Sequence, residues 1–445
     1  MSMSAPRRHA LLCLLAAVTL AGCGGGSADP ADASAESALK ATKKPPVGGT
    51  FVRPPGAARL LGMNIGAKNY DDSAYQTQLA RLDVVILGFY PGWRGDVGGS
   101  MIRSALQALK MRNPALKVGQ YTSLNDAADS SVRTANYDLS LELDQNDWWL
   151  RDAVSGAKLQ WTSSYNTYDI NLTSWTAPDA SGDRWPQWLA RRNQRMYFDP
   201  VPEFDLLYLD GVMLNSRVPA ADWKLDGSNW SSKDPDIAAA YRQGHVAEWQ
   251  TAAALAPALL QMGNVDNDMA SAEYSGRLGA AFLEAQMGKS WSLETWAGWM
   301  PMMQRYFTVT ANLKAPALVG FNVSGKTTDY RFFRYAFTSC LLGDGYFSFT
   351  DSAVGYSSVP WFDEYEVALG APSEPATLSA WSNGVYRRRY QNALVLVNPQ
   401  AEARTVTLEP GWRRLLAIQD PQTNNGQPAT TLSLPAKDGL VLVPR

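Results

Sequence analysis

The chain has 445 residues, a formal net charge of −2, two histidines and three cysteines. The near-neutral balance gives no broad basic surface, so we expect no nucleic-acid partner. So few histidines exclude a zinc site built from several of them, and the sequence has no CxxC pair, so we expect no metal and no cofactor. Any catalysis is therefore expected to fall to carboxylates.

The N-terminus, residues 1–22, has the layout of a secretory signal. A short basic segment precedes the apolar run LLCLLAAVTL, which is too short to span a bilayer. The run ends in LAGC, Leu20 to Cys23, which resembles the lipobox of bacterial lipoproteins. That resemblance implies that Cys23 is lipidated and becomes the first residue, and Gly24 after it permits outer-membrane sorting. The alternative is a soluble secreted protein with a cysteine near its cleavage site.

A polar segment, residues 23–50, follows and is too poor in large apolar residues to fold, so we predict a flexible tether. We accordingly expect an exported lipoprotein anchored to a membrane through Cys23. The outer membrane is the expected site, on its periplasmic or surface face.

Eight short apolar runs come next, separated by helical patterns. Strands are predicted over 59–66, 83–90, 116–122, 204–212, 258–265, 279–287, 316–325 and 344–351. Strands that alternate with helices pair in parallel, and eight of them close a TIM barrel. The sequence therefore predicts an α/β fold, a (β/α)8 TIM barrel over 51–370. The fifth crossover, 268–278, is the weakest element and predicts at most a small helix.

Two regions depart from the repeat. About eighty residues separate the third and fourth strands; 185–197 read as the missing helix, and the rest is rich in Trp, Tyr, Asn and Asp. Long ordered loops usually serve function, and this one is expected over the strand C-termini. After 370, short alternating runs between Pro, Gly and Asn predict a small antiparallel, sandwich-like β domain over 371–445. Cys340, in an apolar helical run, is expected to be a buried thiol.

Two carboxylates interrupt apolar strands near their C-terminal ends. In LLYLDGV, Leu206, Tyr208 and Asp210 share one face, and Phe282 and Glu284 share one face of AAFLEAQM. Both carboxylates are expected to point into the barrel mouth, where TIM-barrel active sites lie. A pair of carboxylates is what glycoside hydrolysis needs: one protonates the leaving oxygen, and the other attacks or activates water. Each could instead cap a loop or hold an arginine.

Other polar and aromatic side chains follow the strands or lie in the long loop. Aromatic faces with hydrogen-bonding neighbours suit sugar rings, although many such residues could simply be core. Asp266 and Asp351 lie in turn-like settings that also favour capping. The residues expected to bind substrate are Asn64, Tyr90, Trp93, Tyr121, Asn125, Trp161, Asn215, Asn264, Asp266, Asn322 and Asp351.

The segments LLYLDGV, WWLRDAVSG, AAFLEAQM and DYRFFRYAFTSCLLGDGYFSF resemble the hypothetical glycosyl hydrolase-like family fifteen. The resemblance covers nearly all of the folded chain. It implies a TIM barrel of the α-galactosidase-like superfamily, in which carboxylates on strands four and six are nucleophile and acid/base; Asp210 and Glu284 match those places. The α-galactosidase pattern has a lysine where this chain has Tyr208, so the sugar preference of that group does not carry over.

The sequence as a whole predicts a lipid-anchored glycoside hydrolase, acting by a retaining mechanism on a poly- or oligosaccharide outside the cytoplasm. The rival interpretation is a non-catalytic carbohydrate-binding lipoprotein that keeps the barrel as a scaffold, because fold alone does not fix function. The distance between the two carboxyl groups discriminates between them.

Overall fold

A computed structural model describes residues 53–130 and 136–445. The predicted signal, tether and Cys23 lie outside the described residues. Eight strands form one parallel sheet in chain order, and a parallel bridge between Leu60 and Phe347 joins the last strand to the first. The strands are β1 Leu61–Asn64, β2 Val84–Leu87, β3 Lys117–Ser123, β4 Leu206–Val212, β5 Leu260–Val265, β6 Ala280–Met287, β7 Leu318–Gly325 and β8 Tyr346–Asp351. The predicted eight-stranded barrel is confirmed.

The helices follow the predicted pattern with two differences. They are α1 Ser73–Leu79, α2 Ser100–Arg112, α3 Tyr137–Gln145, α4 Trp185–Asn193, α5 Pro235–Leu255, α6 Leu293–Ala297, α7 Trp299–Asn312 and α8 Tyr330–Leu341. The helical sequence pattern over 292–313 predicts one helix, but the structure divides it at Gly298, whose φ of 94° is incompatible with a helix. The fifth crossover forms turns instead of a small helix, since Tyr274 N and Ser275 N both donate to Ser271 O. In the described part of the chain, no helix is long and apolar enough to cross a membrane.

The period of two in the strands sorts their side chains into two layers. Leu206 and Tyr208 of β4 pack inside the barrel with Phe282, whereas Leu207 and Leu209 pack against the helices. Asp210 continues the inward row at the end where the strand leaves the core. The predicted inward face of β4 is confirmed.

The excursion between β3 and β4 has a hydrophobic core of its own. Trp148, Trp149, Trp185 and Trp223 are buried in it. A short two-stranded antiparallel sheet in the same excursion pairs Asp126–Ala128 with Thr167–Asp169. This segment is therefore a folded layer over the barrel mouth and not an open loop.

A second, five-stranded antiparallel sheet follows the barrel. Its strands are β9 Tyr386–Arg389, β10 Leu394–Asn398, β11 Arg404–Arg414, β12 Pro428–Leu434 and β13 Asp438–Pro444, in the order β9-β10-β13-β11-β12. The antiparallel domain is confirmed, but it is a single sheet where a sandwich-like pair was expected, because one face of the sheet packs on α8. Cys340 of α8 is fully buried, and burial raises the pKa of its thiol to about 12.

Candidate active site

Both predicted carboxylates stand at β-bulges. The register of β4 against β5 shifts between Leu209 and Val212, and that of β6 against β7 shifts between Leu283 and Met287. The residue after each carboxylate has a positive φ: 71° at Gly211 and 42° at Ala285. A bulge redirects a strand and re-aims its side chain. The carboxylates at 210 and 284 are thus both placed by a local break in pairing.

Buried amides hold these two bulges. Asn125 Nδ2 donates to Gly211 O at 2.5 Å. A Cβ at Gly211 would lie 2.4 Å from that nitrogen, so only glycine fits there. On the other strand, Ala285 N donates to Asn322 Oδ1 at 2.9 Å, and Asn322 Nδ2 donates to hydroxyls of β8.

This use of Asn322 corrects one expectation. The side chain is fully buried and both of its polar atoms are bonded to the protein, so Asn322 supports a bulge instead of binding substrate. Asn64 differs, because its Oδ1 has no hydrogen-bond partner within residues 53–130 and 136–445, so its role toward a substrate stays a prediction. It is fully buried, and its Nδ2 donates to Tyr75 Oη and Ser358 O.

One amide joins the two carboxylates. Asn264 Nδ2 donates to Asp210 Oδ1 at 2.8 Å and to Glu284 Oε2 at 2.9 Å. These two oxygens therefore lie no more than 5.7 Å apart, the sum of the two hydrogen-bond lengths. The structure brings the predicted pair together across strands β4 and β6, with β5 between them.

A phenol holds each carboxylate from the other side. Tyr121 Oη donates to Asp210 Oδ2 at 2.5 Å, and Tyr356 Oη donates to Glu284 Oε1. Asp210 Oδ1 also accepts from Gly211 N at 2.9 Å. Both carboxylates are more than nine-tenths buried.

The environment of Glu284 favours its protonated form. Burial raises the pKa of Glu284 to about 7, and the charge of Asp210 acts in the same direction. The hydrogen bonds from Tyr356 and Asn264 oppose this shift, because they stabilise the carboxylate. Near neutral pH, Glu284 therefore still holds its proton in a large fraction of molecules.

A second carboxyl pair, missed from the sequence, lies beside the first. Asp126 and Asp169 face each other across the short two-stranded sheet, and burial, with a contribution from the charge of Asp210, raises the pKa of Asp126. Burial, followed by the charge of Asp126, raises the pKa of Asp169 to about 7. Asp126 follows β3 by only three residues, which is a signal the sequence does carry.

A cation and an aromatic platform complete this region. The Arg217 guanidinium lies 4.4 Å from the centre of the Trp161 ring, and its charge lowers the pKa of Asp126, Asp169 and Glu284. Trp161 is half-buried and packs on Tyr165. Its backbone N donates to Asp169 Oδ2 at 2.8 Å. The predicted Trp161 is thus placed at the carboxyl cluster.

The other predicted residues occupy varied places. Asp351 accepts from Ala353 N and caps a turn, and Asp266 is exposed beyond β5. The Asn215 amide lies beside Ser232 O and Leu214 O. Tyr90 and Trp93 both contact Lys68. The Lys68 ammonium lies over the Tyr90 ring, and the Lys68 carbonyl accepts from Trp93 Nε1.

A TIM barrel with two buried carboxylates at its mouth, on separate strands, defines a class of protein: the glycoside hydrolases. The chain belongs to hypothetical glycosyl hydrolase family 15, whose model matches residues 110–394. No curated protein matches the chain in sequence.

Solved structures of similar fold include Amy13B of Eubacterium rectale, 10% identical, with a TM-score of 0.50 over 88% of this chain and 97% of that one. An Anoxybacillus alpha-amylase is 11% identical, with a TM-score of 0.48 over 87% and 98%. The isomaltulose synthase SmuA from Protaminobacter rubrum is 12% identical, with a TM-score of 0.47 over 87% and 98%. At these identities, the likeness to Amy13B speaks for the fold alone.

Proposed function

We propose that the protein is a retaining glycoside hydrolase that acts on a poly- or oligosaccharide outside the cytoplasm, with Asp210 as nucleophile and Glu284 as acid/base. The observation that carries the proposal is the single Asn264 nitrogen bonded to both carboxylates. An amide nitrogen directs its two hydrogens about 120° apart. Its two acceptors therefore lie about 5 Å from each other. Retaining enzymes need carboxyl groups about 5–5.5 Å apart, and inverting ones need roughly 6.5–9.5 Å.

The two steps of the reaction follow from this geometry. In the first, Asp210 attacks the anomeric carbon while Glu284 gives its proton to the leaving oxygen. The bond to the leaving group breaks as the bond to Asp210 forms. In the second, Glu284 takes a proton from water, and that water displaces Asp210 from the anomeric carbon. The raised pKa of Glu284 suits the first step, since an acid must hold its proton until it is needed.

The partners of the carboxylates favour catalysis over simple binding. A carboxylate whose role is structural is expected to be paired with an arginine. In residues 53–130 and 136–445, the hydrogen-bond partners of Asp210 and Glu284 are instead phenols, an amide and a backbone N–H. These groups orient a carboxylate without neutralising it.

The test is digestion of a panel of polysaccharides by the wild-type protein and by Asp210→Asn. Reducing ends released by the wild type and not by the variant support the proposal. Hydrolysis that survives in Asp210→Asn, with the variant folded, overturns the assignment of the nucleophile.

The proposed location rests on Cys23. A lipid on this residue would hold the enzyme at a membrane, with residues 24–50 as the spacer. Cys23→Ser should move the protein from the detergent phase to the aqueous phase, or leave its signal uncleaved. Unchanged partitioning of that variant would contradict the anchor.

A further inference from the structure

The barrel mouth offers more hydrogen-bond acceptors than donors. The nitrogens of Asn125, Asn264 and Gln286 donate to Gly211 O, to the two catalytic carboxylates and to Glu284 O. The amide oxygens of the same three residues are buried and have no partner in the part of the chain that the structure describes. Because the nitrogens face carboxylate or carbonyl oxygens, the amides cannot be turned the other way. The nitrogens of these three amides are therefore used within the protein, and their oxygens are left for a ligand.

The second carboxyl pair adds charge to this surplus. Asp126 accepts from Ser123 Oγ and Thr167 Oγ1, both at 2.9 Å, while Asp169 accepts from Trp161 N. Hydroxyl and amide donors orient these carboxylates but do not neutralise them. The Arg217 charge reaches both, yet this one guanidinium also acts on Glu284 and so is shared among three carboxyl groups.

Tyr241 gives a second sign of a ligand at the same place. This side chain, on α5, is 2% exposed, and its hydroxyl has no partner within residues 53–130 and 136–445. The charges of Arg217, Asp169 and Asp126 act on it, as does that of Asp266, so the hydroxyl is within electrostatic range of the carboxyl cluster. A buried hydroxyl left without a partner costs free energy, about 1–3 kcal/mol in proteins generally. A ligand that bonds to it would recover that cost.

We propose that the site accepts a saccharide with a free amino group, and that Asp126 and Asp169 hold this group as an ammonium ion. The proposal rests on the catalytic role assigned above to Asp210 and Glu284, and it adds the class of substrate. An ammonium brings three donors and a positive charge, which match an acceptor-rich cluster of carboxylates. The raised pKa of Asp169 agrees, because it reflects a buried carboxyl that lacks a sufficient countercharge.

Other sugar substituents fit this surface less well. A uronic acid would place a further carboxyl beside the four already there. An N-acetyl group carries no charge, so it offers the second carboxyl pair no countercharge. A neutral hydroxyl could use the amide oxygens, but it leaves the charge of the second pair unmatched.

Binding of simple sugars tests the proposal without knowledge of the linkage. The probes are the methyl glycosides of glucosamine and galactosamine, with the matching N-acetylated and neutral glycosides, titrated by calorimetry near pH 6.5. We expect the amino sugar of at least one series to bind about tenfold more tightly than both of its relatives. The double variant Asp126→Asn/Asp169→Asn should lose that preference.

Asp147→Asn is the matched control. Asp147 lies in the same excursion, is exposed and has a φ of 50°, which asparagine tolerates as well as aspartate does. This variant removes one charge away from the mouth and should keep the preference. If the double variant does not fold, the comparison of the sugars on the wild-type protein still decides.

Failure of both amino sugars to bind more tightly than their relatives overturns the proposal, and absence of binding counts as such a failure. The outcome is separable from that of the catalytic role. If the protein hydrolyses a neutral polymer, depends on Asp210 and Glu284 and shows no amine preference, the catalytic role stands and the amino-sugar proposal is wrong. If the protein prefers the amino sugar but its hydrolysis does not depend on Asp210, the amino-sugar proposal stands and the catalytic role of Asp210 is wrong.

Discussion

Asp210 and Glu284 share one hydrogen-bond donor, the Asn264 amide nitrogen, at 2.8 and 2.9 Å. This bond fixes the separation of the two carboxylates and also sets their electrostatics. The charge of Asp210 disfavours ionisation of Glu284, and the shared amide offsets part of this effect. The Asn264 amide and the Tyr356 phenol both lower the pKa of Glu284, against the stronger effect of burial.

The first prediction concerns the pH dependence of activity. Glu284 must be protonated to act as the acid, so kcat/KM should fall as pH rises through about 7, the pKa of Glu284. Tyr356→Phe removes a hydrogen bond that lowers this pKa, so the alkaline limb should move to higher pH. Tyr121→Phe is the matched control, because it removes a phenol from Asp210 and should leave that limb in place. An alkaline limb that stays fixed in Tyr356→Phe would contradict the role of Glu284.

The second prediction concerns stability at alkaline pH. Glu248 of α5 is 1% exposed, neither of its carboxyl oxygens is bonded to any described residue, and burial raises its pKa from 4.5 to about 8. As pH rises from 4.5 to 8, the unfolded state releases this proton before the folded state does, so the free energy of unfolding falls. Glu248→Gln should therefore be more stable than the wild type at pH 8, by on the order of 3 kcal/mol.

The same comparison at pH 4.5 should show little difference, since the folded state then holds the proton and the unfolded state has only begun to release it. Urea unfolding at the two pH values makes the measurement. Glu402→Gln is the control, because Glu402 is largely exposed and should not change the pH dependence. Equal stability of Glu248→Gln and the wild type at pH 8 would argue against a buried, unpartnered carboxyl.

The third prediction concerns the attachment of the second sheet to the barrel. Arg334 of α8 makes two hydrogen bonds to Asp438, at 3.0 and 2.9 Å, and pairs with Asp420, and both Arg334 and Asp438 are buried. Arg334→Met leaves Asp438 buried without its cation and should cost about 3–5 kcal/mol. Arg334→Met/Asp438→Asn should recover part of the loss.

Chemical denaturation measures both variants, with Arg404→Met as the control. Arg404 pairs with the exposed Glu402 at 3.8 Å, so its loss should cost about 0–1 kcal/mol. Similar costs for Arg334→Met and Arg404→Met would mean that the buried pair does not hold the sheet.

The fourth prediction concerns two tryptophans of the excursion. Trp148 is fully buried in the core of the excursion, so it is not open to a sugar, and Trp148→Ala should cost about 3–5 kcal/mol of stability. Trp161 is half-buried at the carboxyl cluster, so Trp161→Ala should weaken saccharide binding about tenfold with little change in melting temperature. If Trp161→Ala folds and keeps its affinity for the saccharide, Trp161 is not a stacking surface for the sugar.

The sequence was sufficient for the barrel and for the two central carboxylates. Eight short apolar runs could be counted, and a lone carboxylate at the end of an inward-facing row stands out in a strand such as LLYLDGV. Period-two alternation then placed Asp210 and Glu284 on the inner face, up to the point where each strand bulges. The local sequence pattern was enough because alternation along a single strand determines which face each side chain occupies.

The rest of the site depends on contacts between distant parts of the chain. Tyr356 donates a hydrogen bond to Glu284, 72 residues earlier in the chain. Asp169 lies beside Asp126 only because two distant strands of the excursion pair with each other. Asn264 and Asn322 look alike in sequence, each near the end of a strand. The bulge at Ala285 draws the Asn322 side chain into the protein, whereas Asn264 is left between the carboxylates. No local pattern distinguishes the two.

The most direct test of the account is to trap the sugar on Asp210. In Glu284→Gln, an activated aryl glycoside of a sugar that the wild type hydrolyses needs no acid to leave, but the second step lacks its base. The glycosyl-enzyme should therefore accumulate, and mass spectrometry of peptides should find the sugar on Asp210. A sugar attached to another carboxylate, or turnover without an adduct and with inversion at the anomeric carbon, would contradict the assignment of the pair.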